Sequence, residues 1–270
     1  MERASVNGVE LEYEVTGTGE PVLLISPVLA DGFLPLVSEP LLDRYQLIRY
    51  HKRGWVGSTH TEGPVGISDH AADAAALLDH LNIERAHVVG HSSGAAVAAE
   101  LALIAPARVA TLSLLELSIF SVPSGPGFLE GAAPVFEAYA RGEHEEALSM
   151  FLGAVSGLDW PACRTLLEER MPGSVAQAIK DADTFFGVEL PALGQWTFGA
   201  AEAAAINQPV LSMLGGDTGP LWIEVAEFLR SSNSHVEDVT IPGLGHLLHI
   251  EQPEPVAREL AAFLTSHPIT

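Results

Sequence analysis

The chain has 270 residues, 47% hydrophobic and 18% charged, enough apolar surface for one large core and too much for a disordered chain. Thirteen Lys and Arg against 35 Asp and Glu leave a formal charge of −22. Such a chain repels phosphate backbones and anionic lipid, so neither a nucleic-acid nor a membrane partner is expected.

The N-terminal Met-Glu-Arg-Ala-Ser-Val-Asn-Gly lacks a basic stretch leading into an apolar one, so no signal peptide is read there. No apolar run is long enough to span a bilayer, and a cytoplasmic location is expected. Val9–Val15 alternates loosely, as an edge strand does, and Pro21–Ser26 is a continuous apolar run suited to a strand buried on both faces. Further strands are predicted over Tyr45–Tyr50, Ala86–Gly90, Val109–Leu117, Pro209–Leu214 and Val236–Ile241. Helical patterns lie between them at Ser68–Leu81, with Ser68 as N-cap, and at Ser93–Ile104, Pro220–Leu229 and Pro253–Leu264. This alternation predicts an α/β fold with a mostly parallel sheet covered on both faces. Residues 118–205 break it with helical segments only (Gly127–Ala140, Glu143–Val155, Pro161–Arg170, Val175–Phe186). They read as a helical cap inserted into a core made of residues 1–117 and 206–270. Cys163, the single cysteine, excludes an intrachain disulfide and a thiolate metal cage.

The sharpest motif is Gly90-His91-Ser92-Ser93-Gly94, between the strand Ala86–Gly90 and an alanine-rich helix. A nucleophilic serine needs its hydroxyl held out of a tight strand-to-helix turn, and flanking glycines permit the close approaches of such a turn. The N-terminus of the following helix favours negative charge developing beside it.

With this motif, Arg53-Gly54-Trp55-Val56-Gly57-Ser58 and Pro242-Gly243-Leu244-Gly245-His246, the chain resembles the α/β-hydrolase superfamily over essentially its whole length. The resemblance implies that family's fold and its chain order of serine, acid and histidine. His246, on a Gly-rich loop after the last strand, stands where the family places its base. His249, His91 and His51 are read as interior or structural.

Two residues compete as the acid that orients the base. Gly215-Gly216-Asp217-Thr218 follows a strand where the family commonly has Gly-x-x-Asp, but Asp217 is one residue early and Thr218 holds the usual position. Glu116 ends the apolar run Ser113-Leu114-Leu115-Glu116-Leu117, where a carboxylate needs a designated partner to offset its desolvation. Glu116 is favoured, with Asp217 the alternative. An acid at that point resembles the layout of zearalenone-type lactone hydrolases and of haloalkane dehalogenases, although Ser92 argues against dehalogenation, which needs an aspartate nucleophile.

Two backbone N–H groups are expected to hold the oxyanion of acyl transfer: Ser93, just after the nucleophile, and Val28, because the preceding Pro27 has no N–H to give. The cap aromatics Phe120, Phe128, Trp160, Phe186 and Trp196 are candidates for lining a pocket. With no Lys/Arg cluster there, a neutral, hydrophobic ester or lactone is the expected small-molecule substrate. The carboxylates Asp181, Asp183 and Glu189 read as a solvated face. The sequence thus predicts a serine hydrolase forming an acyl-enzyme, with no metal and no cofactor. Hydrolysis of a carbon–carbon bond in a β-diketone, or a hydrolase-like receptor with little turnover, are the alternatives. A homodimer is left open.

Overall fold

The computed structural model describes residues 1–61 and 63–269. Eight strands make one sheet: β1 (Glu2–Val6), β2 (Val9–Thr16), β3 (Pro21–Ile25), β4 (Gln46–Tyr50), β5 (Ala86–His91), β6 (Val109–Leu115), β7 (Val210–Gly215) and β8 (Val236–Ile241). Their order is β1-β2-β4-β3-β5-β6-β7-β8. The pairs β1/β2 and β2/β4 are antiparallel, and every pair from β4/β3 to β7/β8 is parallel.

Successive residues of the central strands point to opposite faces, which is why their sequences are apolar throughout. Leu23, Ile25, Val88, Leu112 and Leu114 face the helices Ile67–His80, Ser93–Ile104 and Pro220–Ser232. Leu24, Val89, Leu115, Leu211 and Met213 face the helix Pro253–Ser266 and the short turn Leu34–Val37.

Several elements differ from their sequence expectation, each for a local reason. β1 was not expected: its five residues are half polar, and they become a strand by folding back on β2 through Asn7-Gly8, both at positive φ (46° and 78°). The helix predicted from Ser68 starts at Ile67, and its cap lies two residues earlier than expected, at Gly66, whose N–H donates to Asp69 Oδ2 at 2.8 Å. β6 stops at Leu115 because Glu116 has φ 51°, which no strand accommodates. The single helix expected over Gly127–Ala140 is two, Gly125–Gly131 and Ala133–Ala140, because Pro134 has no N–H to continue the first.

Between β6 and β7 the chain is helical, continuing through His144–Ser156, Trp160–Arg170, Ser174–Lys180, a π-helical turn at Phe185–Glu189, Leu190–Gln195 and Ala200–Ala205. Asp159 caps the second of these, accepting from Ala162 N–H at 2.9 Å. Most of these helices share an apolar core with Val28, Leu29, Trp55 and Leu247, which lie on loops, and with Ile250 of the short helix Leu248–Glu251, all at the carboxyl edge of the sheet. The segment therefore covers that edge as a cap. Cys163 is fully buried in this core, and burial raises its thiol pKa.

Candidate active site

All the candidate residues of the core follow the carboxyl ends of parallel strands. Val28 comes after β3, Ser92 after β5, Glu116 and Ser118 after β6, Asp217 and Thr218 after β7, and His246 after β8. Residues as far apart in sequence as Val28 and His246 are thus delivered to one edge of the sheet.

Ser92 has φ 55° and ψ −122°, a conformation that a non-glycine residue holds only where its surroundings impose it. The surroundings are backbone. Ser92 N–H donates to Leu115 O at 2.9 Å, and a Cβ on Gly90 would strike Gly94 and Ala95, while one on Gly94 would strike Ile25 and Ser26. The two glycines are what allow the turn to close. Ser93, next in the chain, opens the helix, so its N–H is one of the first-turn donors that have no intrahelical acceptor.

Glu116 is fully buried and accepts three hydrogen bonds. Gly215 N–H donates to Oε1 at 2.7 Å; Thr218 Oγ1 and His246 Nδ1 donate to Oε2 at 2.6 and 3.2 Å. A carboxylate cannot donate, so the bond to His246 places the proton on Nδ1 and leaves Nε2 as the free lone pair. Burial pushes the Glu116 pKa up, against the opposing bonds from Thr218 and Gly215, and pushes that of His246 down. Asp217 stands apart from this set. Its side chain is exposed, and its backbone N–H is tied to Leu244 O at 2.9 Å. Of the two acids weighed from sequence, Glu116 is the one bonded to His246, and Thr218, in the usual acid position, supports that carboxylate.

Three contacts around the set have no sequence motif. Ser118 Oγ lies 3.2 Å from Ser92 Oγ and accepts from Trp222 Nε1 at 3.1 Å. The Trp222 ring lies on His246, with centroids 4.1 Å apart. His91 Nε2 donates to the His246 carbonyl at 2.8 Å and so braces the loop carrying His246. The spacing of Ser118 two residues after Glu116 was visible, but nothing in the sequence marked it. His249 is fully buried between His91 and Phe33, and His51 is held between Glu12 and Asp31.

A cavity of about 570 Å³ of empty space, mouth included, opens on Ser92. Ser92, Ser93, Ser118 and His246 form its polar end with Val28 beside them, and Phe120, Phe128, Phe151, Phe185, Leu190 and Leu193 of the cap wall the rest. Of the five aromatic residues expected there, Phe120 and Phe128 line it. The other three require correction. Phe186 packs behind the wall against Phe136, Tyr139 and Phe151. Trp160 packs against the cap's own core, and Trp196 stacks on Phe198 and donates to Glu100 at 2.9 Å. Helical periodicity marks all of these as apolar-facing without saying which faces meet the cavity. The carboxylate stretch is corrected as well: Asp183 is exposed, but Asp181 and Glu189 are buried.

A model described as the alpha/beta hydrolase fold matches residues 29–253. The chain belongs to the α/β-hydrolase family. Among the relatives of this α/β hydrolase is a provisionally named non-heme bromoperoxidase, BpoC, of Mycobacterium tuberculosis, 36% identical over 96% of this chain and 98% of its own length. A provisionally named carbamate hydrolase, RutD, of Azorhizobium caulinodans is 38% identical over 117 residues, and the match spans less than half of either chain (43% of this one, 44% of RutD). The enol-lactonase from Burkholderia xenovorans LB400 has the same fold, with a TM-score of 0.75 over 98% of this chain and 100% of its own at 23% identity. Among the described residues, no helix is long and apolar enough to cross a membrane.

Proposed function

We propose that the chain is a serine hydrolase that cleaves a neutral, hydrophobic carboxylic ester or lactone through an acyl-enzyme. The observation carrying this reading is the set of three: a serine on a strained strand-to-helix turn, facing an apolar cavity that also exposes a histidine hydrogen-bonded to a buried glutamate. Names of relatives and fold-mates that include a carbamate hydrolase and an enol-lactonase support acyl chemistry of this kind.

In this mechanism His246 Nε2 takes the Ser92 proton as Oγ attacks the substrate carbonyl. The oxyanion forms between the N–H groups of Val28 and Ser93, where the helix N-terminus adds to its stabilisation. Glu116 fixes the tautomer of His246 and offsets the charge of the imidazolium. The imidazolium then gives its proton to the leaving alcohol oxygen, which in a lactone stays attached to the acyl group. Water, deprotonated by His246, attacks the acyl-enzyme, and the proton returns to Ser92. Trp222 stacked on the imidazole keeps bulk water from that face, so the positive charge is met by Glu116 rather than by solvent.

The cavity wall supplies the test. With apolar cap side chains beyond a short polar end, each acyl methylene that enters should contribute up to about 0.8 kcal/mol, or about fourfold in kcat/KM. For p-nitrophenyl acetate, butyrate, hexanoate and octanoate, kcat/KM is expected to rise until the wall at Phe151 and Phe185 is reached. A series with acetate fastest argues against an apolar acyl site, and no turnover of any ester argues against the hydrolase reading.

A further inference from the structure

Beneath the cap, on the side of Ser93 away from the cavity, lies a charged cluster that the proposed mechanism does not use. Glu189, the last residue of the π-helical turn, is 1% exposed. Its Oε2 accepts from Lys52 Nζ at 2.6 Å and from Trp55 Nε1 at 3.0 Å, and its Oε1 accepts from Ser93 Oγ at 2.5 Å. Lys52 is equally enclosed, 3% exposed, with its ammonium 5.3 Å from the centre of the Trp55 ring. Around this cluster the cap is fastened to the loop after β4. Thr184 Oγ1 donates to Gly54 O at 2.6 Å, and Asp181 Oδ2 accepts from Val56 N–H at 3.4 Å. Val56 is held at φ 52°, unusual for a β-branched residue.

A buried ion pair is a poor device for stability alone, because the desolvation of both charges offsets most of their attraction. What it does provide is direction, since both carboxylate oxygens of Glu189 are tied to fixed donors. One of those partners is the side chain of the residue whose backbone N–H faces the reacting carbonyl. That N–H belongs to the peptide joining Ser92 to Ser93, which follows the strained φ of Ser92 and is outside the repeating hydrogen bonds of the helix. Its orientation therefore depends on anchors at either end.

We propose that Glu189 is a positioning residue that couples the seating of the cap to the oxyanion site, by holding Ser93 Oγ and thereby the Ser92–Ser93 peptide. This rests on the hydrolase reading given above. The cap and the oxyanion donor then adjust as one unit: when the π-helical turn sits on Lys52 and Trp55, the Ser93 amide is in register for the transition state.

Ser93→Ala tests the coupling directly. It keeps the backbone N–H, leaves the contacts of Glu189 to Lys52 and Trp55 in place, and puts a better helix former at the first helical position. With p-nitrophenyl butyrate as probe, kcat is expected to fall about ten- to a hundredfold, the scale of an oxyanion donor displaced by part of an ångström. KM should change by less than about twofold, the pattern of an interaction made mainly in the transition state. The melting temperature should fall only modestly, because Glu189 loses the Ser93 donor but keeps those from Lys52 and Trp55. The double variant Lys52→Met with Glu189→Met, which leaves no unpaired charge and no acceptor for Ser93 Oγ, should lose kcat similarly, and adding Ser93→Ala to it should cost nothing more, because the same link is already cut. A Ser93→Ala enzyme with parental kcat, or losses that multiply in the triple variant, overturns the coupling. A parent protein that neither hydrolyses the ester nor reacts with a fluorophosphonate overturns the hydrolase reading itself, and the coupling with it.

Discussion

Replacing Ser92 by Ala is expected to abolish labelling by a fluorophosphonate probe and to lower kcat on p-nitrophenyl esters by a factor on the order of 10⁶, the loss seen when a serine nucleophile is removed from a working triad. The parent should take up one probe molecule per chain. Cys163 does not compete for it, being buried in the cap core with its thiol held protonated by burial. The substitution removes one oxygen and leaves the elbow at Gly90 and Gly94 intact, so the melting temperature should remain close to the parent's. Labelling or turnover that survives in Ser92→Ala would place the nucleophile elsewhere.

The second large effect is expected at Glu116. Glu116→Gln keeps the volume and can still accept a hydrogen bond from His246, but the charge that balances the imidazolium is gone, and kcat should drop by about 10⁴. Asp217→Asn should leave kcat within a few fold, because the Asp217 side chain is exposed and makes no bond to His246. The reverse pattern, with Asp217→Asn inactive and Glu116→Gln normal, overturns the assignment. The pH profile gives an independent reading. His246 works as a neutral base, so kcat/KM is lost as the pH falls and the Glu116–His246 pair gains a proton. In the parent, the carboxylate favours that proton while burial opposes a charged imidazole. In Glu116→Gln only the burial remains, and the acid limb should move to lower pH even as the plateau falls. A limb that stays in place means that Glu116 carries no charge against the base.

How much of this was legible in the sequence depended on how local the cause was. The elbow could be read because strand, glycine, serine, glycine and helix are contiguous. Burial of both sheet faces could be read from unbroken apolar runs such as Pro21–Ile25. Glu116 stood out because a carboxylate among leucines requires a partner. The sequence could not name the partners themselves. Thr218 and Gly215 reach Glu116 across about a hundred residues, and Lys52 meets Glu189 across 137. Lys52 accounts for the burial of Glu189, and Gln177 and the Val56 amide hold Asp181: a run of acids reads as a solvated face whether or not partners wait for it elsewhere in the fold. β1 was missed for a related reason. Glu2–Val6 has little strand character of its own and acquires it from β2 across the Asn7-Gly8 turn.

The open rims of the sheet are β1 and β8, whose outer backbone groups have no neighbouring strand. Bare rims of this sort are where a second copy of a protein can add by backbone pairing alone, extending toward fibrils. Here each rim is guarded by charge. β8 carries Glu237 and Asp238, consecutive and exposed, so that one carboxylate projects above the sheet and the other below it. β1 carries exposed Glu2 and Arg3, the latter paired with Glu10 and Glu12 of β2. Bringing one β8 against another would set these carboxylates face to face, within the roughly 8 Å over which such repulsion persists at physiological salt. Lateral growth of the sheet through β8 is thus penalised before any side chain has packed.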